Sequence, residues 1–212
     1  MNIALIGASG YVGSALLAEA LQRGHTVTAL VQHPEKLQAT PTLRALKANV
    51  LDSTTLPAVL RGHDAVISAF SGHAQADIEA YYLQGFRSIV QAVKQAAVPR
   101  LLVVGGAASL QVAPGVELLD NPAFPEQWKP TARGARAALM LLRDEPQLDW
   151  TVLSPSAHLE PGERTGRFRL GAEELLVDSQ GDSRISLQDY ALAMLDELEH
   201  PAHSRQRFTV GY

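Results

Sequence analysis

The sequence predicts an α/β fold, a doubly wound parallel sheet closed by a small C-terminal portion of different character. Three observations predict it. Short apolar runs alternate with longer segments of helical period through the first two thirds of the chain, the pattern of repeated βαβ units. A glycine-rich turn stands directly between the first apolar run and the first helical segment. The 212 residues, 46% hydrophobic and 19% charged, can bury one full-sized core and are too apolar for a disordered chain.

Strands are expected at residues 2–6, 26–31, 45–50, 64–69, 100–104 and 150–154, most of them nearly continuous apolar runs, as for strands buried on both faces. The first helix, residues 10–23, carries Val12, Leu16, Leu17, Ala20 and Leu21 on one face and stops at Gly24, a C′ residue. Ile78, Tyr81, Tyr82, Phe86, Ile89, Val90 and Val93 recur at helical spacing and predict one long amphipathic helix through residue 97. Residues 132–143, rich in Ala and Leu, form a third helix. From 154 to 183 the chain is rich in Gly, Pro and charge, so loop and a short hairpin are expected over the carboxyl edge of the sheet. Ser186-Leu187-Gln188-Asp189 reads as an N-cap with an acidic N3, opening a helix through residue 198. Residues 207–210 close as a short strand. No internal repeat, low-complexity tract or linker interrupts the chain, so residues 1–212 are expected to form a single domain.

Composition excludes several functions. With no Cys, disulfide scaffolds, thiolate zinc sites, iron–sulfur clusters and cysteine nucleophiles are out. The seven His are scattered, and no metal is expected. Lys+Arg 18 against Asp+Glu 22 leaves a net charge of −4, which argues against a nucleic-acid partner. Met1-Asn2 runs straight into Ile3–Ile6 without a basic leader, and stretches such as Leu101–Val104 fall far short of the roughly 18 apolar residues of a membrane span. A cytoplasmic protein with no membrane partner, monomer or homodimer, is expected.

The turn itself is Gly7-Ala8-Ser9-Gly10-Tyr11-Val12-Gly13, spaced G-x-x-G-x-x-G. After a strand and before a helix, the first glycine permits a tight turn, the second lets backbone N–H groups approach a pyrophosphate, and the third lets helix pack closely on strand. Gly7, Ser9, Gly10, Tyr11, Val12 and Gly13 are therefore the candidate cradle of a Rossmann-type fold, with NADP or NAD as cofactor. The second strand ends in Gln32, His33 and, after Pro34-Glu35, Lys36, with no acid at the tip to grip a ribose 2′-OH, which favours NADP. His33 and Lys36 either meet a 2′-phosphate or stand as solvated loop side chains. Asp52 either accepts from the adenine amino group or caps the next helix. Ser68, Ala69 and Phe70 end the fourth strand, where backbone can line the ribose and diphosphate. Gly105 and Gly106 end the fifth, where close approach to the nicotinamide is a reason for paired glycines.

These segments, together with Asp149-Trp150-Thr151-Val152-Leu153-Ser154-Pro155, Pro161-Gly162-Glu163-Arg164-Thr165-Gly166 and Arg184-Ile185-Ser186-Leu187-Gln188-Asp189-Tyr190-Ala191, resemble the atypical short-chain dehydrogenase/reductase superfamily. Within it the chain looks like the small NAD(P)H-binding proteins assigned as candidate NADH-flavin reductases, with a more distant likeness to biliverdin-IXβ reductase and NmrA-like proteins. The resemblance covers almost the whole chain, the tail Arg207-Phe208-Thr209-Val210-Gly211-Tyr212 included. Two departures stand out. Family members commonly carry Arg where this chain has Gln32, and the Tyr-x-x-x-Lys pair of typical dehydrogenases is missing from Trp128-Lys129-Pro130-Thr131-Ala132-Arg133-Gly134-Ala135.

The resemblance implies an NAD(P)H-dependent reductase with a small C-terminal acceptor-binding portion. Ketone reduction needs an acid beside the developing alkoxide, the usual task of the missing pair. A flavin or quinone delocalises charge and takes its proton from solvent, so FMN or FAD as substrate fits the gap, as does a non-catalytic NAD(P) sensor that binds a protein partner. Ser109 and Ser156 are candidate donors to an acceptor carbonyl, or turn-forming serines. Trp128 either stacks on the acceptor or packs as a lid; Ser154 and His158 are further acceptor-site candidates, His158 as a proton relay or simply exposed. Arg164 and Arg167 either bind a flavin phosphate or pair with Glu160 and Glu163. Roughly 60 residues beyond the cofactor half favour a small or flat acceptor over a sugar nucleotide.

Overall fold

A computed structural model describes residues 1–73 and 76–212. Strand β1 (Asn2–Ile6) is apolar on both faces and lies inside the sheet, paired in parallel with β2 (Thr26–Val31) on one side and β4 (Ala65–Ser68) on the other. Beyond β2 comes β3 (Leu43–Lys47), and beyond β4 come β5 (Arg100–Val104) and then β8 (Asp149–Ser154). The order 3-2-1-4-5 is that of a doubly wound Rossmann sheet, with its switch point between β1 and β4.

The chain adds two strands to this sheet, one of them the short strand expected at residues 207–210. The last strand, β12 (Gln206–Gly211), lies parallel to β8, and β10 (Arg169–Gly171) pairs antiparallel with β12 to close an eight-stranded sheet. The expected short hairpin between 154 and 183 is therefore absent, because β10 takes its partner from the C-terminal strand. Two small ribbons lie outside the sheet. In one, β6 (Gln111–Ala113) and β7 (Val116–Glu117) turn at Gly115; in the other, β9 (His158–Glu160) runs parallel to β11 (Arg184–Ser186).

Helices cover both faces. On one, α1 (Tyr11–Gln22) lies beside α5 (Leu187–Glu199) over a core of Leu5, Leu16, Ile67, Tyr190, Leu195 and Phe208. On the other, α2 (Thr55–Leu60), α3 (Ile78–Ala96) and α4 (Lys129–Arg143) bury Ile6, Leu60, Phe86, Ile89, Leu101 and Trp150. The long helix is as its spacing requires: Asp77 caps it by accepting from Ala80 N–H at 3.0 Å, and Ala97 ends it in the left-handed conformation at φ 54°. Ser186 caps α5 by accepting from Asp189 N–H. Helix α4 starts at Lys129, earlier than its Ala-rich run, because Pro130 is favourable in a first turn. Strand β3 sits earlier than residues 45–50, its register set by Val27↔Leu43 through Val31↔Lys47, while Val50 is buried from the following loop.

Candidate functional site

At the carboxyl end of β1 the chain has almost no free volume. Gly7 turns at φ +80°, donates its N–H to Leu30 O at 2.9 Å, and accepts from Gly10 N–H at 2.9 Å. A Cβ on Gly7 would lie 2.6 Å from Ala69 O, and one on Gly13 would lie 2.0 Å from Gly7 O. Helix α1 is thus seated directly on the turn. Gly10 caps it without a side-chain acceptor, and its first turn contains no acid. The N–H groups there and the positive end of the helix dipole are left for an anion. Gly7, Ser9, Gly10, Tyr11, Val12 and Gly13 therefore come together as a cradle that fits a dinucleotide pyrophosphate.

Around this cradle the candidate residues fall into two groups. Ala69 and Phe70 line its edge with backbone, since the Phe70 ring turns away to stack on Tyr82 with centroids 5.7 Å apart. Ser68 is buried at the end of β4. Beyond β2, Gln32 donates to Ala48 O at 3.0 Å, and His33 contacts the Glu35 carboxylate at 3.0 Å on an open surface shared with exposed Lys36. Glu35 stays below its usual range, first through its own backbone N–H and then through His33 and Lys36. Asp52 takes its structural alternative: it accepts from Thr55 N–H at 2.9 Å and Thr54 N–H at 3.0 Å, which lowers its carboxyl and fixes the start of α2.

Gly105 and Gly106 are also closely packed. A Cβ on Gly105 would meet Val152 Cγ1 at 2.7 Å, and one on Gly106 would meet Ala135 Cβ at 3.1 Å. Packing of β5 beside β8 and under α4 thus adds a second reason for small residues at this strand end. Ser154 is buried under Gly105, and its Oγ has no hydrogen-bond partner.

Three expected acceptor-site side chains are committed elsewhere. Ser109 is buried, and both its Oγ and its carbonyl accept from Arg207 Nη1, at 3.0 and 3.1 Å. Ser156 is 1% exposed and donates to Val210 O at 2.9 Å. Ser156 thus spends its proton on the C-terminal strand, which corrects its reading as a donor to the acceptor, whereas Ser109 accepts from Arg207 and keeps its own proton. Arg164 binds neither Glu160 nor Glu163 but grips Glu19 of α1 through Nε and Nη2, both at 2.8 Å. Trp128, 52% exposed, stands at the start of α4, edge-on to His73 with ring centroids 6.4 Å apart. His158 lies on β9, apart from Trp128, and faces solvent.

His73 and its contact with Thr131 Oγ1 at 3.5 Å were not singled out from the sequence, although a His just past a strand end, after Gly72, carried the signal. Also missed was the Tyr11 hydroxyl, which donates to Leu159 O at 3.2 Å and ties the first residue of α1 to β9.

The sequence profile of the NAD(P)H-binding family matches residues 7–201. The chain belongs to this NAD(P)H-binding family. The NAD(P)H-binding protein is 42% identical to Bacillus subtilis YwnB, over 99% of this chain and 98% of that one. It is 47% identical to a crystal structure from Bacteroides thetaiotaomicron named as a candidate epimerase, with a TM-score of 0.94, covering 100% of this chain and 96% of that one. A Streptococcus pneumoniae structure named as a candidate NADH-flavin reductase is 37% identical with a TM-score of 0.89, covering 100% and 99%.

Two phenols of this NAD(P)H-binding protein lie in its core. Tyr82 is buried, and desolvation pushes its phenol up to about 12. Tyr190 is wholly buried, its phenol also raised by desolvation, and it donates to Leu153 O at 2.8 Å. No helix among the described residues is long and apolar enough to cross a membrane.

Proposed function

We propose that this protein is an NAD(P)H-dependent oxidoreductase that passes hydride to a flavin or quinone-like acceptor, with NADP favoured over NAD. The observation that carries the reading is a cradle that fits a pyrophosphate in a chain that lacks the Tyr-x-x-x-Lys pair of typical dehydrogenases. When bound, the nicotinamide supplies a hydride, and its partner must be an acceptor that needs no protein acid. The chain's share is positional. The uncapped start of α1 holds the diphosphate, and Ala69 and Phe70 present backbone along the crevice. Trp128 offers a half-exposed indole on which a flat ring can stack. Epimerase chemistry, suggested by the name of the Bacteroides relative, is disfavoured by the missing Tyr–Lys pair.

Steady-state oxidation of NADPH and NADH with FMN, FAD, riboflavin and a quinone tests the reading. Turnover with at least one acceptor is expected. Tight nucleotide binding with no turnover on any of them would overturn it and leave a non-catalytic NAD(P) sensor that binds a protein partner, which the missing Tyr–Lys pair also suits.

A further inference from the structure

A cavity of about 680 Å³ lies against the β9–β11 ribbon, outside the glycine cradle, lined by His158, Glu160, Glu163, Arg167, Arg184 and Tyr212 among others. The ribbon register explains its character. His158 faces Arg184 across the ladder, Leu159 faces Ile185, and Glu160 faces Ser186. Leu159 and Ile185 turn inward to the core, so alternation turns His158, Arg184 and Glu160 outward into the cavity. The cavity thus has the Arg184 guanidinium beside His158 in one row, and about 6.6 Å further along the strand the Glu160 carboxylate.

These charges do not neutralise one another. Among the described residues, no ion pair involves Arg167, Arg184, Glu160 or Glu163. Neighbouring Arg164, by contrast, is fully engaged by Glu19. Asp178 feels Arg184 but spends its Oδ1 on Gln180 and Asp182 N–H groups. Two guanidiniums and two carboxylates held apart in one concavity suit a ligand with an anionic end and a row of hydroxyls. Arginine binds the anion, and carboxylates accept from the hydroxyls.

We infer that this cavity takes the phosphorylated polyol tail of the acceptor, so that the acceptor is a phosphate monoester such as FMN rather than free riboflavin or a simple quinone. Arg184 and Arg167 bind the phosphate, while Glu160 and Glu163 accept from ribityl hydroxyls. The Tyr11–Leu159 hydrogen bond moors the ribbon to the first residue of the cofactor helix, which puts the cavity beside the cofactor site. This assignment rests on the acceptor reading above.

Titration calorimetry of the cofactor-free protein with FMN and with riboflavin tests it. FMN is expected to bind at least about tenfold more tightly, the difference a charge-assisted phosphate contact makes. The double variant Arg167→Gln, Arg184→Gln is expected to bring FMN down to the level of riboflavin with an unchanged melting temperature, since both side chains are exposed. Equal affinity for the two flavins, no FMN binding, or an FMN preference that survives in the double variant would overturn the inference. Failure of the acceptor reading looks different: FMN binds preferentially, yet neither FMN nor any other acceptor supports NAD(P)H oxidation.

Discussion

Gly13 has no room for a methyl group, because the nearest atom to its missing Cβ is the carbonyl oxygen of Gly7, a residue held by one backbone hydrogen bond through its N–H and another through that carbonyl. Gly13→Ala must lift α1 off the turn and carry its N–H groups away from the pyrophosphate. An NADPH titration is expected to show affinity lost by at least about tenfold, with destabilisation of about 1–3 kcal/mol in urea unfolding. Unchanged affinity would mean that this helix terminus does not hold the cofactor. The glycine spacing made this part of the site readable, since only backbone geometry is at stake there. The hydroxyls were not readable in the same way. Ser109 and Ser156 follow strands, as catalytic serines often do, but their partners, Arg207 and Val210, lie about a hundred and about fifty residues away in sequence. A residue type announces that it can make a hydrogen bond and leaves open with whom.

At the level of elements, the segment 161–166 is a loop stapled at two points. Arg164 fastens it to Glu19 on α1, and Asp189 on α5 accepts from Thr165 Oγ1 at 2.5 Å, Gly166 N–H at 2.9 Å and Tyr212 Oη at 2.8 Å. The hydrogen bond from Arg164 is the main reason that the Glu19 carboxyl lies below its ordinary value of 4.5, outweighing its burial, with Arg23 helping. A carboxyl lowered by folding stabilises the native state above its unfolded value and loses that contribution as pH falls through the lower folded one. Proteolysis of the loop is therefore expected to accelerate as pH drops below 4.5, with Arg164→Ala already susceptible at neutral pH. If Arg164→Ala resists protease as the parent does, the staple is not what holds the loop. The Ser-x-x-Asp spacing foretold the cap of α5, and Ser186 provides it. Its partner Asp189 is used instead on a loop some two dozen residues upstream, a choice that local spacing does not encode.

Across the whole molecule, the last strand completes the sheet from within: β12 sits between β8 and β10, so the C-terminal residues are a structural layer and not an appendage. Phe208, 1% exposed, fills the core between that strand and α5 and stacks on His203 with centroids 4.1 Å apart. Phe208→Ala is expected to cost about 3–5 kcal/mol in urea unfolding, and a loss below about 1 kcal/mol would show that β12 is dispensable. The parallel half of the sheet was evident from long apolar runs that each pair with a neighbour in the βαβ series. The strand expected at residues 207–210 is β12, but its place inside the sheet, together with β9, β10 and β11, was hidden because three-residue strands acquire their identity only from distant partners. The same crowding that rules out a side chain at Gly7 and Gly13 also makes β4, β1 and α1 an incompressible stack. A cradle without slack cannot be retuned by small substitutions within it. Divergence in cofactor or acceptor preference among such chains has to be written at the periphery, in the tip of β2 and in the ribbon beyond Leu159.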